Sequence, residues 1–281
     1  MPTKRDGKRP RVALVTGAAT GIGLATVKAL VAAGWRVYAT ALPGQDITDL
    51  AGEDIEVVEV DLTDEQSTAE LLKAVTREDR LDAFVSNAGI AVPGPLEYVP
   101  IDQLRLQFEV NALAPMRLAQ GLLPSLRAGR GRMVFMGAGQ GRVALAFGGP
   151  YGASKSALAA LTDSLRAEVA ASGVAVSLIE PGAVRTGILE SSRERALALL
   201  ATLPEDAAQQ YRAPLLATFA RSEAAFEKAL PPQKLAKLVL RILASPKPQP
   251  RYLVGREAKA LAVIALLPAR WRARLVGRFG R

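Results

Sequence analysis

The chain of 281 residues contains no cysteine and no histidine. Without cysteine there is no disulfide, no thiolate nucleophile and no Cys-held zinc or iron–sulfur cluster. Without histidine, a Ser-His-Asp triad and a His-bound metal are excluded too. Acid–base chemistry near neutral pH is left to Asp, Glu, Lys, Tyr or the amino terminus. Aromatic residues make up only 5%, too few for the stacking platforms of a nucleic-acid binder, so no nucleic-acid partner is expected. Long apolar runs are absent as well. The longest near the C-terminus, Ala260–Ala269, is half of the roughly 20 residues that a bilayer span needs. The charged start followed by Val12–Thr16 imitates a signal peptide, but a glycine turn breaks the apolar part after one strand's length. A soluble, cytoplasmic chain is the expectation.

Hydrophobic residues make up 49% of the chain, which excludes disorder and supplies a substantial core. The net charge of +9 is concentrated at the ends. Residues 1–11 carry +4 and the stretch from Arg251 onward +7, which leaves about −2 for everything between. The boundaries read as a basic tail over 1–10, a body over 11–255 and a basic extension over 256–281. The tails read first as solvated.

Short β-branched runs alternate with helical patterns. Strands are expected at Val12–Thr16, Trp35–Thr40, Ile55–Val60, Leu81–Ser86, Arg132–Met136, Val174–Ile179 and Arg251–Val254. Helices are expected at Gly21–Ala33, Glu65–Arg77, Asp102–Leu126 and Tyr151–Ala171. This alternation predicts an α/β fold: one doubly wound domain with a parallel sheet and helices on both faces. Residues 187–232 are helix-prone, without a strand, and follow the sixth strand. They read as a lid over the ligand end of the sheet, or else as a decorative helical hairpin.

Two motifs carry chemistry. Thr16-Gly17-Ala18-Ala19-Thr20-Gly21-Ile22-Gly23 follows a strand and opens a helix. A helix N-terminus offers free N–H groups and a positive dipole, and glycines let a pyrophosphate approach. Tyr151-Gly-Ala-Ser-Lys155 places a phenol and an ammonium one helical turn apart. The ammonium favours the phenolate and lowers the tyrosine pKa, giving a proton donor and acceptor without histidine.

In order along the chain stand the glycine turn, Ser86-Asn87-Ala88-Gly89, Asn111, Tyr151/Lys155 and Pro181-Gly182. This series resembles the short-chain dehydrogenase/reductase family over roughly residues 10–255. The strand Arg251-Tyr-Leu-Val-Gly255 adds a weaker likeness to its hydroxysteroid and retinoid dehydrogenase members. The resemblance implies a seven-stranded sheet in a Rossmann-type fold and hydride transfer between a nicotinamide and an alcohol or carbonyl carbon. It implies that Gly17, Thr20, Gly21, Ile22 and Gly23 hold the pyrophosphate. Asp61, with Leu62 beside it, would accept from the adenine amine, and Asn87, Ala88 and Gly89 would flank the adenosine ribose. Tyr151 would be the acid or base, Lys155 the ribose ligand that tunes it, and Asn111 the holder of a relay water. Asn111 also reads as a helix-bulge residue that satisfies backbone groups. Pro181, Gly182, Val184 and Thr186 would face the nicotinamide. A homodimer or homotetramer is implied as well.

Two positions depart from the family pattern. Thirteen residues before Tyr151, where a serine is usual, stands Ala138. Losing one such donor costs about 10²–10³ in rate. Either Gln140 or an ordered water supplies the donor, or the chain binds a dinucleotide with little turnover, or the alanine was introduced into a normal enzyme. After the second strand, Ala41 replaces the acid that would bind the ribose of NAD, and Leu42 stands where an arginine is often found. Backbone N–H groups and Thr40 could bind a 2′-phosphate, so NADP(H) is favoured over NAD(H).

The substrate mouth is expected between Ala91–Leu96, Gly137–Arg142, Val143–Gly149 and the 187–232 segment. These stretches are apolar apart from Arg142, which points to an apolar carbonyl or secondary alcohol. Ala258–Phe279 interleaves arginines with Leu, Val, Ile and Trp271. It reads as a helix covering the fold or a subunit interface, or as a membrane-surface helix that Pro268 interrupts.

Overall fold

The structure, a computed structural model, describes residues 9–279. Most of the basic tail over 1–10 therefore lies outside the described residues. Seven strands form one parallel sheet in the order β3-β2-β1-β4-β5-β6-β7. They are β1 (Arg11–Val15), β2 (Trp35–Ala41), β3 (Ile55–Glu59), β4 (Ala83–Ser86), β5 (Arg132–Met136), β6 (Ala175–Pro181) and β7 (Arg251–Val254). Helices α1 (Gly21–Ala32), α2 (Glu65–Val75), α3 (Ile101–Phe108), α4 (Ala114–Gly129) and α5 (Gly149–Val169) follow the first strands in turn. Then come α6 (Ile188–Thr202), α7 (Glu205–Glu227), α8 (Pro232–Ala244), α9 (Arg256–Ala265) and α10 (Ala269–Phe279).

The period-2 alternation of strands sorts the core into two layers. Val12, Leu14, Phe84 and Phe135 pack on one face against Leu118, Leu122 and Leu158 from α4 and α5. Ala13, Val15, Val85 and Val134 pack on the other against Val27, Leu30, Leu235 and Val239 from α1 and α8. Central strands buried on both faces read as continuous apolar runs for this reason.

Two elements differ from expectation. The helix expected over Asp102–Leu126 is divided by a wider π-helical turn, Glu109–Leu113, between α3 and α4. Pro115, which lacks an N–H, enters just after that turn, where the bonding has already been rerouted. Helix α8 was assigned no element, although Leu235, Leu238, Val239 and Ile242 have helical spacing and face the core. The C-terminal stretch is two helices, α9 and α10, broken around Pro268. Among the described residues no helix is long and apolar enough to cross a membrane.

A chain of charges joins the elements that carry the site. Glu180 of β6 is 1% exposed. Its two oxygens accept from Arg142 Nε at 2.9 Å and Nη2 at 2.6 Å. Arg251 of β7 reaches the same carboxylate at 3.5 Å and also pairs with Asp163 of α5, which Arg166 holds in turn. Burial pushes the Asp163 carboxyl up, but the bonds from Arg251 and Arg166 outweigh it and hold its pKa below the ordinary value. The sequence reading counted Arg142 as a free charge in the substrate mouth; the bidentate pair with Glu180 takes it out of that role. Glu180→Ala would leave the partly exposed Arg142 guanidinium without its carboxylate, while Arg251 keeps Asp163. The expected cost is about 3 kcal/mol in chemical denaturation, and a loss below about 1 kcal/mol would reduce the pair to a surface contact.

Candidate active site

The glycine turn begins where β1 ends. Gly17 has φ +62°, a left-handed conformation that favours glycine, and a Cβ there would lie 2.8 Å from Ala88 Cα. A Cβ on Gly23 would lie 2.0 Å from the Gly17 carbonyl oxygen, so the helix can start this close to the turn only without a side chain. Thr20 makes no side-chain cap to α1, and the first turn holds no acid. The first N–H groups of Gly21, Ile22 and Gly23 thus face outward beside a positive helix end, a fit for a pyrophosphate.

Thr16 and Asn87 tie this turn to the end of β4. Thr16 Oγ1 accepts from Asn87 N at 3.0 Å and Ala88 N at 3.1 Å. Asn87 Nδ2 donates to Thr16 O at 3.0 Å and Gly17 O at 2.9 Å. The Asn87 amide hydrogens are therefore spent on the turn itself, while Gly89 beyond it is exposed. Thr40 is similarly committed. It is 2% exposed, and its Oγ1 accepts from Gly17 N at 3.2 Å. Leu42 N donates to Gln45 Oε1 at 3.1 Å. The Leu42 amide is therefore engaged within the turn, and the buried Thr40 keeps only its O–H hydrogen as a group it could offer a 2′-phosphate. Asp61 begins the turn after β3, with Leu62 beside it. Its Oδ1 accepts from Thr63 N at 2.9 Å and Thr63 Oγ1 at 2.7 Å.

The glycine at position 89 leads directly to Asn111 and Lys155. A Cβ there would lie 3.2 Å from Asn111 Oδ1 and 3.4 Å from Lys155 Nζ. Asn111 sits in the π-helical turn, fully buried. Its Oδ1 accepts from Ile90 N at 2.9 Å, while Nδ2 donates to Ile90 O at 2.9 Å and to Ser154 Oγ at 3.1 Å. The bulge-residue reading is what the side chain shows. Ser154 Oγ donates to Tyr151 O at 2.8 Å. Four residues before Asn111, Gln107 accepts from Val92 N and donates to Ile90 O. The sequence reading missed Ser154, Gln107 and Glu180. The signal for Gln107 was two carboxamides one helical turn apart on a buried face.

Tyr151 and Lys155 share the first two turns of α5. Lys155 Nζ lies 5.9 Å from the centre of the Tyr151 ring and donates to Met136 O at 2.8 Å. Burial pushes the Tyr151 phenol up to about 12 and Lys155 down to about 8. The expected lowering of the tyrosine pKa is thus reversed in this arrangement, because removal from water disfavours the charged form of both groups. Ala138 is extended and 6% exposed at the head of the loop after β5. Gln140 follows in that loop, with its Oε1 3.2 Å from the Cβ that Gly148 lacks. This places the carboxamide at the start of α5.

On the far side, Gly182 N donates to Val254 O at 2.8 Å just after Pro181 ends β6. Val184 forms a bridge with Leu230. The Thr186 methyl would be 2.9 Å from a Cβ on Gly21, so it closes over the glycine turn. The expected substrate segments also converge. Gly94 N donates to Phe147 O at 2.9 Å, and Tyr211 of α7 stacks edge-on against Tyr98 at 6.0 Å and Phe147 at 6.4 Å. Tyr211 Oη donates to Glu97 at 2.7 Å.

A model of the short chain dehydrogenase family matches residues 11–197. The chain is 32% identical over 263 residues to a probable short-chain type dehydrogenase/reductase, VdlC, of Helicobacter pylori, covering 92% of this chain and 94% of that one. It is 34% identical over 269 residues to retinol dehydrogenase 5 of Mus musculus, covering 91% and 84%. A solved short-chain dehydrogenase of Streptomyces avermitilis superposes with a TM-score of 0.77 at 28% identity, covering 97% of each chain. One from Burkholderia cenocepacia in complex with NADP does so with a TM-score of 0.73 at 25% identity, covering 95% and 98%. With this fold, this series of strand-end residues and these relatives, the chain belongs to the short-chain dehydrogenase/reductase family.

Proposed function

We propose that the protein is a nicotinamide-dependent oxidoreductase acting on an apolar carbonyl or secondary alcohol, with Tyr151 as the acid or base. One observation carries the reading. Contacts run from Gly17 through Ala88 and Gly89 to Asn111 and Lys155, which supports a helix end suited to an anion working together with the Lys155 ammonium and the Tyr151 phenol near it. When bound, the nicotinamide would give or take the hydride. The remaining steps fall to this chain. The turn and the α1 N-terminus would hold the pyrophosphate, Asp61 the adenine side, and Pro181, Gly182, Val184 and Thr186 the nicotinamide side. Lys155 has two ammonium hydrogens beyond the one given to Met136, enough for a ribose. Tyr151, protonated at neutral pH, would deliver its proton to the substrate oxygen in reduction. Both Nδ2 hydrogens of Asn111 are spent, so a relay water would be held on an acceptor oxygen. Ala41 places no carboxylate against a 2′-phosphate, and a related solved structure carries NADP. These two points favour NADP(H) over NAD(H).

The substrate reading rests on the apolar mouth. Ala196, Leu200, Leu215 and Phe219 pack with Phe147 and Leu189, and Arg142 is neutralised. In this reading α6 and α7 act as a lid, and the body over 11–255 works as one catalytic unit. Leu113 and Leu161, exposed near and on α5, support a homo-oligomer. Ala138 favours a second reading, a dinucleotide binder with little turnover. Gln140 is the group placed to compensate.

NADPH oxidation with apolar ketones separates the readings. Tyr151→Phe is expected to abolish turnover while leaving dinucleotide affinity, read by fluorescence titration, within about twofold, since only one hydroxyl is removed. Ala138→Ser is expected to raise turnover by about 10²–10³ if nothing replaces the serine, and little if Gln140 does. An unchanged rate in Tyr151→Phe would sink the acid–base assignment. The pH dependence has a definite sign. Alcohol oxidation needs the phenolate and should climb through alkaline pH, because the phenol is held near 12. Carbonyl reduction needs the phenol and should show no decline from Tyr151 at neutral pH. An oxidation rate already level at neutral pH would contradict this.

A further inference from the structure

We propose that the outer face of α9 and the start of α10 form a docking surface for a bilayer containing anionic phospholipid. Val263 and Leu266 are the two most exposed of the large apolar side chains among the described residues, at 65% and 85%. Trp271, at the start of α10, is 51% exposed. Arg256, Lys259, Val263 and Leu266 recur every three or four residues, so they line one stripe of α9, and all four are exposed. The opposite face of that helix is committed: Ala258 is fully buried, and its Cα lies 2.9 Å from the Cβ that Gly139 lacks. The stripe is therefore turned away from the fold.

Charge identifies the partner. From Arg256 onward the sequence holds seven cations and one acid. Among the described residues no salt bridge engages Arg256, Lys259, Arg270 or Arg274. Arg274 instead lies 6.0 Å from the centre of the Trp271 ring. Exposed apolar tips with unpaired cations beside them fit an interface where tips enter the acyl boundary and cations meet phosphates. A second copy of this chain is the poorer occupant, because a two-fold contact would set this positive face against itself. An RNA would leave Val263 and Leu266 in water.

The inner contact gives the docking a use, which rests on the oxidoreductase reading. Gly139 belongs to the loop of Ala138 and Gln140, so α9 is a single layer between the proposed bilayer surface and the substrate loop. An apolar substrate dissolved in the membrane would then be close to the site.

Co-sedimentation of the full chain with vesicles tests the proposal without reading turnover, so its failure is distinct from failure of the enzymatic reading. Vesicles of phosphatidylcholine alone are compared with vesicles also containing phosphatidylglycerol. Binding is expected to the anionic vesicles and to fall steeply with added salt. Arg256→Gln with Lys259→Gln should weaken it more than tenfold, at about fivefold per cation. Leu266→Glu should abolish it and leave NADPH affinity unchanged. Equal binding to both vesicles, or to neither, would overturn the proposal. So would loss of an oligomer in Leu266→Glu, read by light scattering, without any vesicle binding in the parent.

Discussion

The site depends on the stitch between the ends of β1 and β4. Two backbone N–H groups end on the Thr16 hydroxyl, and the Asn87 amide returns two bonds to the carbonyls of Thr16 and Gly17. These bonds fix a left-handed glycine directly against Ala88, and Ala88 in turn sets Gly89 beside Asn111 and Lys155. Neighbouring parallel strands would otherwise diverge at their carboxyl ends, where the connections part to opposite faces. Here the two strand ends are held together by side chains whose polar atoms are bonded to the protein itself.

Burial is the second shared constraint. The ammonium is buried and the phenol half-buried, and the loss of hydration moves their pKa values in opposite directions. Their separation on the helix is therefore not enough to make a phenolate. The Lys155 ammonium is anchored on the Met136 carbonyl, and that carbonyl leads into the loop of Ala138. The residue that departs from the family pattern thus sits on a backbone held by the lysine. Ser156 Oγ donates to Gly141 O, and Arg142 is gripped by Glu180, so the loop is tied along its length.

Glu180 shows how a charge can be structural in an active-site strand. It lies one residue before Pro181, where a sequence reading looks for ligand contacts. Its carboxylate faces Arg142 and Arg251 and couples the loop after β5 to the far edge of the sheet. The same argument applies to the mouth, where Tyr98, Phe147 and Tyr211 come from three distant segments and form one edge-stacked group.

The sequence by itself determined the layered fold, since alternating apolar runs and helical periods have only one economical packing, and it placed the glycine turn and the Tyr151/Lys155 pair. Those signals are local, within one strand–turn or one helix turn. The signal of helix α8 is equally local, but it falls between the helix-prone 187–232 segment and the strand at Arg251 and carries no chemistry-bearing motif. Only the tertiary structure decided what Asn87 and Arg142 do, since each spends its polar hydrogens on a partner tens of residues away. It also decided the direction of the Tyr151 shift. Spacing along a helix reports which charges are near, whereas desolvation depends on everything the fold packs around them.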